Sequence, residues 1–327
     1  MQGNLLIEAY RGEVVEASFY GWVLVVNSRL NILRSLTYSD NICYMRSCEK
    51  PLQALCSKKF NAIDKYNIIE SEIAMSYSSH TGSSEHINQL ENILNKTGVS
   101  QNQLHCGIHP PIDKEERHRL IREGIKPSVL HNNCSAKHLF VLASCKASGW
   151  PLDNYTDPAH PVQREIIEIV KYYCQTDTLK IGIDGCSMPI HAMPLLNMGA
   201  GFAKYFDGST EYAEILADAV SKYPHLAGGY GRIDSAIIQS SDGKLLAKVG
   251  AEGLIIVTAR HTGEALVVKL SCGNDYMRNY VVIEALKQLN WLANDPLDDE
   301  LLKPFSNQEI YNHAGKNIGK LRFKFVL

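Results

Sequence analysis

The sequence lacks the excess of basic residues that nucleic-acid-binding proteins carry. It has 33 Lys and Arg residues against 35 Asp and Glu residues, which gives a formal net charge of -2. Affinity for nucleic acid comes largely from clustered positive charge that neutralises phosphates. The composition therefore argues against a nucleic-acid partner, and the 327 residues are enough to bury a substantial core.

Long apolar segments are also missing. No apolar run approaches the roughly 18 residues that a membrane-spanning helix needs. The first twenty residues, "MQGNLLIEAYRGEVVEASFY", contain acidic residues and no unbroken apolar core, unlike a secretory signal. We therefore expect a cytoplasmic protein without a membrane partner.

The cysteines do not have the pattern of a disulfide framework. Their number is odd, nine, and they are spaced irregularly from Cys43 to Cys272. Reduced thiols in a cytosolic protein are the favoured interpretation, so a special role for any cysteine would have to come from metal binding or chemistry. Phosphate-binding glycine loops, internal repeats and low-complexity linkers are missing as well, which predicts one domain over residues 1–327 without an organic cofactor.

Strand patterns lie at both ends of the chain. The segment "WVLVVNSRLNILRSL" predicts a hairpin with strands at Val23–Val26 and from Leu30 onward, and it is expected to open the fold. Between residues 234 and 271 we predict three strands, separated by turns at 241–243 and 261–263. A helix over "DYMRNYVVIEALKQLNWLA" and a final strand in "LRFKFVL" follow.

The middle of the chain has helical periodicity. Six helices are predicted there, in "PLQALCSKKFNAI", "EHINQLENILNKTG", "KEERHRLIREG", "AKHLFVLASCKASG", "HPVQREIIEIVKYYC" and "STEYAEILADAVSKY". The prediction is an α+β fold with an antiparallel sheet from about residues 1–45 and 232–327. Helices would pack on its faces, with a mainly helical insert at about 46–231.

Ser47 and Lys50 are the first chemical candidates. The S-x-x-K spacing at a helix start places a lysine amine beside a serine hydroxyl, and a lysine with a lowered pKa can act as the base for that serine. The spacing alone is weak evidence, because Ser241 and Lys244 share it at the tip of a predicted hairpin. A helix-capping serine is the alternative interpretation.

Two later elements strengthen the candidate. Ser79 lies in the polar loop "SYSSHTGSSEH", and Lys248 precedes a Val-Gly pair on a predicted strand. A helix Ser-Lys, a loop serine and a strand lysine form the three-part pattern of penicillin-recognising serine enzymes. Lys248 would also help to keep Lys50 neutral by repulsion between like charges.

A third candidate lies in "HNNCSAKH" and "GIDGCSMP". Cys134 and Cys186 with a third donor could hold a zinc ion that keeps an open position. Cys134 and Lys137 do not have a standard ligand spacing, however. From the residues alone, buried structural cysteines are the favoured interpretation.

Five blocks together, "RSCEKPLQAL", "SSHTGSSEH", "HNNCSAKHL", "DGCSMP" and "LAKVGAEG", resemble the Rhizobium etli-type L-asparaginases of the asparaginase II family. The resemblance runs from the hairpin near Trp22 to the terminal "RFKFVL" and includes "HLAGGYGR". It implies a serine β-lactamase or penicillin-binding-protein-like fold and the hydrolysis of L-asparagine to L-aspartate and ammonia. A homodimer is implied as well.

The resemblance also implies roles for individual residues. Ser47 with Lys50 and Ser79 with Lys248 match the family's two Ser-Lys tandems. Its zinc ligands, two cysteines and a lysine, match Cys134, Lys137 and Cys186, which reverses the interpretation from the residues alone. The zinc is not expected to be required for the chemistry. His138 and Asp184 are expected to orient the ligating lysine or to contact the substrate.

Several alternatives stay open at this level. Either Ser47 or Ser79 could be the nucleophile, and Glu49 could raise the pKa of Lys50 if its side chain turned inward. The same site could serve a hydrolase of β-lactams or D-amino-acid peptides. A protein that binds zinc or an amide without turnover is the alternative outside the enzymes, although it would have no need for both complete Ser-Lys pairs.

Overall fold

The computed structural model describes residues 3–36 and 40–327 of the chain. The strands in these ranges are β1 (Asn4–Arg11), β2 (Val14–Asn27), β3 (Ile32–Ser35), β4 (Ile42–Tyr44), β5 (Lys180–Ile183), β6 (Pro189–Pro194), β7 (Leu245–Gly250), β8 (Leu254–Ala259), β9 (Glu264–Leu270), β10 (Glu309–Tyr311) and β11 (Asn317–Phe323).

The α-helices of the same ranges are α1 (Lys50–Lys59), α2 (Ala62–Lys65), α3 (Glu70–Tyr77), α4 (Ser84–Thr97), α5 (Lys114–Glu123), α6 (Ser135–Ser148), α7 (Pro161–Cys174), α8 (Leu195–Tyr205), α9 (Glu211–Lys222), α10 (Pro224–Ala227), α11 (Ile233–Ser240) and α12 (Asp275–Gln288). Short 3₁₀ helices form at Arg46–Glu49, Gln101–Gln103, Val129–His131 and Lys303–Phe305.

One large antiparallel sheet is built from the two ends of the chain. Its order is β10-β11-β1-β2-β9-β8-β7, with β3 paired to β2. The long strand β2 pairs with β1 along most of its length and with β9 from Gly21 onward. At Gly21 a β-carbon would lie 2.2 Å from the Lys269 carbonyl oxygen, so this crossing point needs glycine. The predicted α+β layout is confirmed.

Helices cover the central strands of this sheet. Residues 265–268 of β9 and 255–257 of β8 are fully buried in succession, which is typical of strands covered on both faces. Helix α8 packs on β2 and β9, and α12 packs on β8 and β9. A β-carbon on Gly199 of α8 would meet Val26 and Val267 at 2.6 and 2.7 Å, so a glycine there permits the close approach of helix and sheet.

The sequence prediction was wrong at the first of the three C-terminal strands. Residues 233–240 form helix α11, and the sheet resumes at Leu245 rather than near residue 232. A short apolar run such as residues 236–238 fits a buried helix as well as a strand, and α11 is a largely buried helix that packs on β7. The hairpin turn that pattern analysis missed lies at 251–253, between β7 and β8.

Other departures concern elements with weak sequence signals. Strand β1 precedes the predicted hairpin and opens the fold, and α3 and α8 add helices that were not predicted. Strands β4, β6 and β5 form a second, three-stranded sheet, two strands of which lie inside the segment predicted to be mainly helical. Strands of three to six residues give little periodicity to detect. Residues 1, 2 and 37–39 of the predicted sheet segment lie outside the described residues.

The six predicted middle helices correspond to α1 with α2, and to α4, α5, α6, α7 and α9. Within the described residues, all nine cysteines are free thiols, as predicted. In the same ranges, the helices are too short or too polar for any of them to cross a membrane.

Candidate active site

The segment that carries Ser47 and Lys50 is a 3₁₀ helix that leads directly into α1. The Lys50 backbone N–H donates to the Ser47 carbonyl oxygen, and Pro51 occupies a first-turn position that needs no intrahelical donor. The start of the helix is fixed to β6 by a 2.9 Å hydrogen bond from the Met45 N–H to the His191 carbonyl oxygen. Arg46 has a φ of 50°, a left-handed conformation that is uncommon for this residue type and recurs at functional sites.

The Lys50 amine is buried among three acceptors. Its side chain is 1% exposed, and Nζ lies 2.8 Å from the Ser78 carbonyl oxygen, 2.9 Å from Ser79 Oγ and 3.1 Å from the Asn133 carbonyl oxygen. Burial is the largest influence on its pKa and holds it below the ordinary lysine value. The lysine of the first Ser-Lys pair is therefore in direct contact with the serine of the second.

Ser79 connects the two predicted pairs. It follows α3 in a buried loop, and its Oγ is 2.9 Å from Lys50 Nζ and 2.9 Å from Lys248 Nζ. The Tyr77 hydroxyl donates to the Ala247 carbonyl oxygen at 2.8 Å and so fixes this loop against β7. One hydroxyl thus lies between two buried amines.

Lys248 is fully buried on β7. Its Nζ donates to the Val249 carbonyl oxygen at 3.0 Å, and burial, partly opposed by Asp234, lowers its pKa to about 7. The positive charge of Lys50 lowers it further. Near neutral pH this amine therefore exists in both protonation states, as a proton-transfer group requires.

Asp234 is a functional candidate that the sequence analysis missed. It lies on α11, 1% exposed, with Oδ2 3.8 Å from Lys248 Nζ and without a hydrogen bond to that oxygen within the described residues. The residue was missed because residues 234–240 were predicted as a strand. The "GGYGRID" sequence directly before the apolar run was the available signal for a helix start.

Ser47 lies in the same cleft as Ser79. The cleft has a volume of about 340 Å³, and both serines line it. Within residues 3–36 and 40–327, the Ser47 hydroxyl has no hydrogen-bond partner, and Lys50 contacts Ser79 instead. Within the described residues, the two members of the first tandem are therefore not hydrogen-bonded to each other, and their pairing stays a prediction.

Glu49 does not turn toward Lys50, contrary to the concern raised by its place between the two tandem residues. Its carboxylate is fully buried and lies 2.8 Å from His191 Nδ1, and it accepts a 2.8 Å hydrogen bond from Gln53 Nε2. Burial disfavours the charged imidazole of His191. The attraction of Glu49 and its hydrogen bond with the ring nevertheless raise the pKa of His191 overall. Glu49 thus forms a buried pair with His191 and not with Lys50.

The predicted metal ligands form a second cluster beside the first. Ligand atoms of Cys134, Asp184 and Cys186 all lie within 4.8 Å of one another, and Lys137 Nζ is 3.0 Å from Cys186 Sγ. Cys134 is the residue before α6, so Lys137 lies about one turn further on the same helix. Cys186 lies in the tight turn between β5 and β6, where Ser187 has a φ of 71°.

The electrostatics of this cluster are those of a thiolate with a cation. The hydrogen bond with Cys186, with help from Lys50 and Lys137, holds the pKa of the Cys134 thiol well below its usual range, although burial opposes the shift. Burial alone would lower the pKa of Lys137, but Cys186, Cys134 and Asp184 together raise it. Two sulfurs, an amine and a carboxylate are donors that suit Zn²⁺, so the residues present fit this metal.

His138 and Asp184 both lie at the cluster. Asp184 Oδ2 is 3.5 Å from Cys186 Sγ, and its Oδ1 forms an ion pair with Arg46 Nε at 3.0 Å. His138 is buried with Nδ1 2.5 Å from the Tyr155 hydroxyl, and within the described part of the chain its Nε2 has no hydrogen-bond partner. Asp184 is thus placed to contact a ligand or metal directly, whereas His138 is held by Tyr155.

The duplicate motif at Ser241 and Lys244 has a purely structural role. Ser241 follows the last residue of α11, and its hydroxyl accepts a hydrogen bond from the Leu245 N–H at 3.0 Å. The motif therefore forms the junction between α11 and β7 rather than the hairpin tip that the sequence predicted.

Comparisons with known proteins bear on this arrangement. A sequence model of the family described as L-asparaginase II matches residues 7–323. A search of the curated proteins found no match. Among solved structures, a β-lactamase from Mycobacterium bovis matches at 12% identity over 82% of this chain and 94% of that chain, with a TM-score of 0.42. That similarity is too low to carry an argument about the site.

Proposed function

The chain belongs to the L-asparaginase II family, and we propose that it hydrolyses L-asparagine to L-aspartate and ammonia through an ester on Ser47. The observation that carries this proposal is the contact of two buried lysine amines with the single hydroxyl of Ser79, in the cleft that Ser47 also lines. Hydrolysis of an amide needs a nucleophile, a base and a proton donor for the leaving amine. Ser47, Ser79, Lys50 and Lys248 can together supply the nucleophile, the base and the proton donor.

The surroundings of Lys50 favour a neutral amine. Two of its three partners, the carbonyl oxygens of Ser78 and Asn133, can only accept, so they take the two hydrogens of a neutral amine. The lone pair then points toward the third partner, the Ser79 hydroxyl. Ser79 can therefore donate to Lys50 while it accepts from Lys248, which makes it a relay for protons between the two amines.

We assign the nucleophile to Ser47 because its hydroxyl makes no hydrogen bond to any part of the chain that the structure describes, whereas that of Ser79 is held by two amines. Hydrogen bonds of a catalytic serine in a ligand-free site are often formed only in the substrate complex. Lys50 takes the proton from Ser47 as Oγ attacks the side-chain amide carbon. The alternative is an exchange of the two serine roles, and the identity of the serine that carries the acyl group distinguishes the two assignments.

The remaining steps balance through the same groups. When the tetrahedral intermediate collapses, the C–N bond breaks and the proton held by Lys50 passes through Ser79 to the leaving nitrogen, which departs as ammonia. A β-aspartyl ester on Ser47 is left behind. Water then attacks the ester carbonyl, gives a proton to the lysine and serine relay, and releases L-aspartate with the Ser47 hydroxyl restored.

Zinc belongs to this proposal as a positioning group. Cys134, Lys137 and Cys186 would hold it, with Asp184 in reach. Bound there, a zinc ion supplies positive charge beside Lys50 that helps to position polar groups of the substrate. Because Ser47 and Lys50 already form the nucleophile, chelation should lower turnover only modestly. The homodimer and the cytoplasmic location stay predictions.

Ammonia release from an amide panel tests the function. Purified protein is incubated with L-asparagine, L-glutamine and the β-lactam nitrocefin, with and without a chelator. Ser241→Ala serves as the matched control for Ser47→Ala, because both are the serine of an S-x-x-K sequence. We expect ammonia from L-asparagine in wild type and Ser241→Ala, and none above background in Ser47→Ala. Absence of ammonia together with nitrocefin turnover would replace the proposal by a β-lactam hydrolase.

A further inference from the structure

The cleft beside the two serines contains charged side chains that the reaction steps do not use. Among the described residues that line it, those with a formal charge are Arg232, Asp275 and Arg278. A cleft of about 340 Å³ is in the range of small-molecule sites, in which a few charged groups fix the orientation of a ligand. The question is which of the three charges is available to a ligand.

Arg278 is not available, because its donors are already bound. Its Nη1 donates to the carbonyl oxygens of Gly250 and Leu254 and to Asp275 Oδ1, at 3.1, 3.2 and 2.6 Å. Its Nη2 and Nε both donate to Asn279 Oδ1, at 2.8 and 3.2 Å. This guanidinium ties α12 to the strands β7 and β8.

Arg232 is in the opposite situation. Within residues 3–36 and 40–327, its guanidinium makes no hydrogen bond, and its Nε is buried without a partner. The nearest carboxylate oxygen is Asp234 Oδ1, 3.7 Å from Nε, which is an ion pair but too long for a hydrogen bond. A buried donor without a partner costs free energy, so its retention in a cleft points to a ligand that satisfies it.

The backbone holds Arg232 in a fixed position. Its N–H donates to the Gly229 carbonyl oxygen at 3.3 Å, and its own carbonyl oxygen accepts from the Ala236 N–H at 2.9 Å in the first turn of α11. Gly231 has a φ of 70°, a left-handed value that glycine adopts without strain. The side chain is 28% exposed and lines the cleft, so a ligand there can reach it.

Asp275 offers a complementary charge on another element. Its Oδ1 accepts from the Gly253 N–H at 3.0 Å and from Arg278, whereas its Oδ2 has no hydrogen bond within the described residues. The side chain is 57% exposed at the start of α12. Among the described residues, the cleft therefore contains one guanidinium without a hydrogen bond, that of Arg232, and one carboxylate oxygen without one, Asp275 Oδ2.

We propose that Arg232 binds the α-carboxylate of the substrate and that Asp275 receives its α-ammonium group. A planar guanidinium with free donors matches a carboxylate bidentately, and a free carboxylate oxygen matches an ammonium. The inference rests on the proposed amide hydrolysis and names the two side chains that recognise the amino-acid end of its substrate. Amides within a peptide chain lack both charges and are rejected.

The test compares substrates that lack one charge each. 3-Aminopropanamide keeps the amide and the amine of L-asparagine but has no α-carboxylate, and succinamic acid keeps the carboxylate but has no amine. We expect Arg232→Met to raise KM for L-asparagine about 10- to 100-fold, the value of a hydrogen bond to a charged group. Turnover of 3-aminopropanamide should stay unchanged, and Asp275→Asn should likewise affect L-asparagine but not succinamic acid.

The controls separate binding from structure. Arg164→Met removes an exposed arginine on α7 and should leave every parameter unchanged. Arg232→Lys should keep part of the affinity because it keeps the positive charge. If Arg232→Met lowers kcat equally for L-asparagine and 3-aminopropanamide, or shifts the pH profile without changing KM, Arg232 acts on the chemical steps rather than on the α-carboxylate, and the proposal is overturned.

Calorimetry distinguishes this inference from the proposed function. L-Aspartate, which keeps both charges of the amino-acid end, should bind wild type and bind Arg232→Met 10- to 100-fold more weakly, whether or not the protein releases ammonia. Equal binding to both proteins, or no binding to wild type, rejects the Arg232 site. Binding that depends on Arg232 in a protein that releases no ammonia would support the site and reject the hydrolysis.

Discussion

Two neighbouring regions of this molecule bury lysines with opposite effects on their protonation. In the serine cleft, Lys50 and Lys248 contact carbonyl oxygens and the Ser79 hydroxyl, and the pKa of both is lowered, although Asp234 partly opposes this at Lys248. In the cysteine cluster, Lys137 faces two sulfurs and a carboxylate, and its pKa is raised. All three side chains are at most 4% exposed.

The difference shows that burial alone does not decide the state of a lysine. Desolvation favours the neutral amine in all three cases, but anionic neighbours reverse its effect at Lys137. The serine cleft therefore holds amines that can accept a proton. In the cysteine cluster Lys137 carries a proton that a bound metal ion would displace, because a lysine must lose its proton to become a ligand.

The largest effect is expected from Lys50→Met, which removes the amine and keeps an unbranched side chain. Loss of the general base should lower kcat for L-asparagine about 10²- to 10⁴-fold. The matched control is Lys244→Met, the lysine of the second S-x-x-K sequence, which is exposed and should leave kcat unchanged. Ammonia release under saturating substrate measures both, and a loss of less than about 10-fold in Lys50→Met would remove this residue from the mechanism.

Glu49→Gln should destabilise the fold without moving the pH profile, because Glu49 is paired with His191 and not with Lys50. Breaking a buried ion pair costs about 3–5 kcal/mol of the free energy of unfolding. The pKa of His191 is raised in the folded state, so the pair stabilises fully below the unfolded value of about 6.5 and is lost as pH rises through the folded value. Urea unfolding at pH 6 is therefore the measurement.

The control for that prediction is Glu165→Gln, which breaks the partly exposed ion pair with Lys59. It should leave the free energy of unfolding nearly unchanged, because such pairs contribute little. If Glu49→Gln instead shifts the pH dependence of kcat/KM, Glu49 acts on Lys50 as well as on His191.

A smaller effect is expected from Asp234→Asn. In wild type, kcat/KM should rise with pH through the pKa of Lys248, about 7, because the relay needs amines that can accept a proton. Asp234 stabilises the Lys248 ammonium, so removal of its charge should lower the pKa of Lys248. The acidic limb of the kcat/KM profile should then move to lower pH by about one unit or more. Asp242→Asn, an exposed turn position, is the control. A shift to higher pH would contradict the assignment.

The smallest effect on turnover is expected at the cysteine cluster. Cys134→Ser should lose bound zinc in elemental analysis, because a serine hydroxyl is a poor substitute for a thiolate ligand. Turnover of L-asparagine should fall less than about 10-fold, as the serine cleft supplies the nucleophile and base. Cys272→Ser, at an exposed cysteine, should keep the zinc content of wild type. Unchanged zinc in Cys134→Ser would place the ligands elsewhere.

The sequence predicted the broad fold because its strongest signals are long and periodic. Helices such as α4 and α7 have full amphipathic patterns and Gly or Pro punctuation, and the strands that form the large sheet lie at both ends of the chain. Strand β5 and helix α11 were lost because a run of four to eight residues gives no decisive period. Their assignment depends on tertiary packing, which sequence patterns do not contain.

The candidate site was predicted as a set of residues but not as a geometry. Ser47, Lys50, Ser79 and Lys248 were named from motif order. In the structure both lysine amines contact the Ser79 hydroxyl, and Ser47 lines the same cleft as Ser79. The contact of Lys50 with Ser79 rather than Ser47 depends on rotamers that spacing does not fix. Asp234 and Arg232 were not singled out because their roles arise from the position of α11 beside β7.

The most direct measurement is the identity of the serine that carries the acyl group. Wild type, Ser47→Ala and Ser79→Ala are mixed with L-asparagine, quenched rapidly in acid and mapped by peptide mass spectrometry. We expect a β-aspartyl ester on the peptide that contains Ser47 in wild type, and no ester in Ser47→Ala. An ester on Ser79, or an intact adduct in Ser47→Ala, would contradict the assignment of Ser47 as nucleophile and of Ser79 as relay.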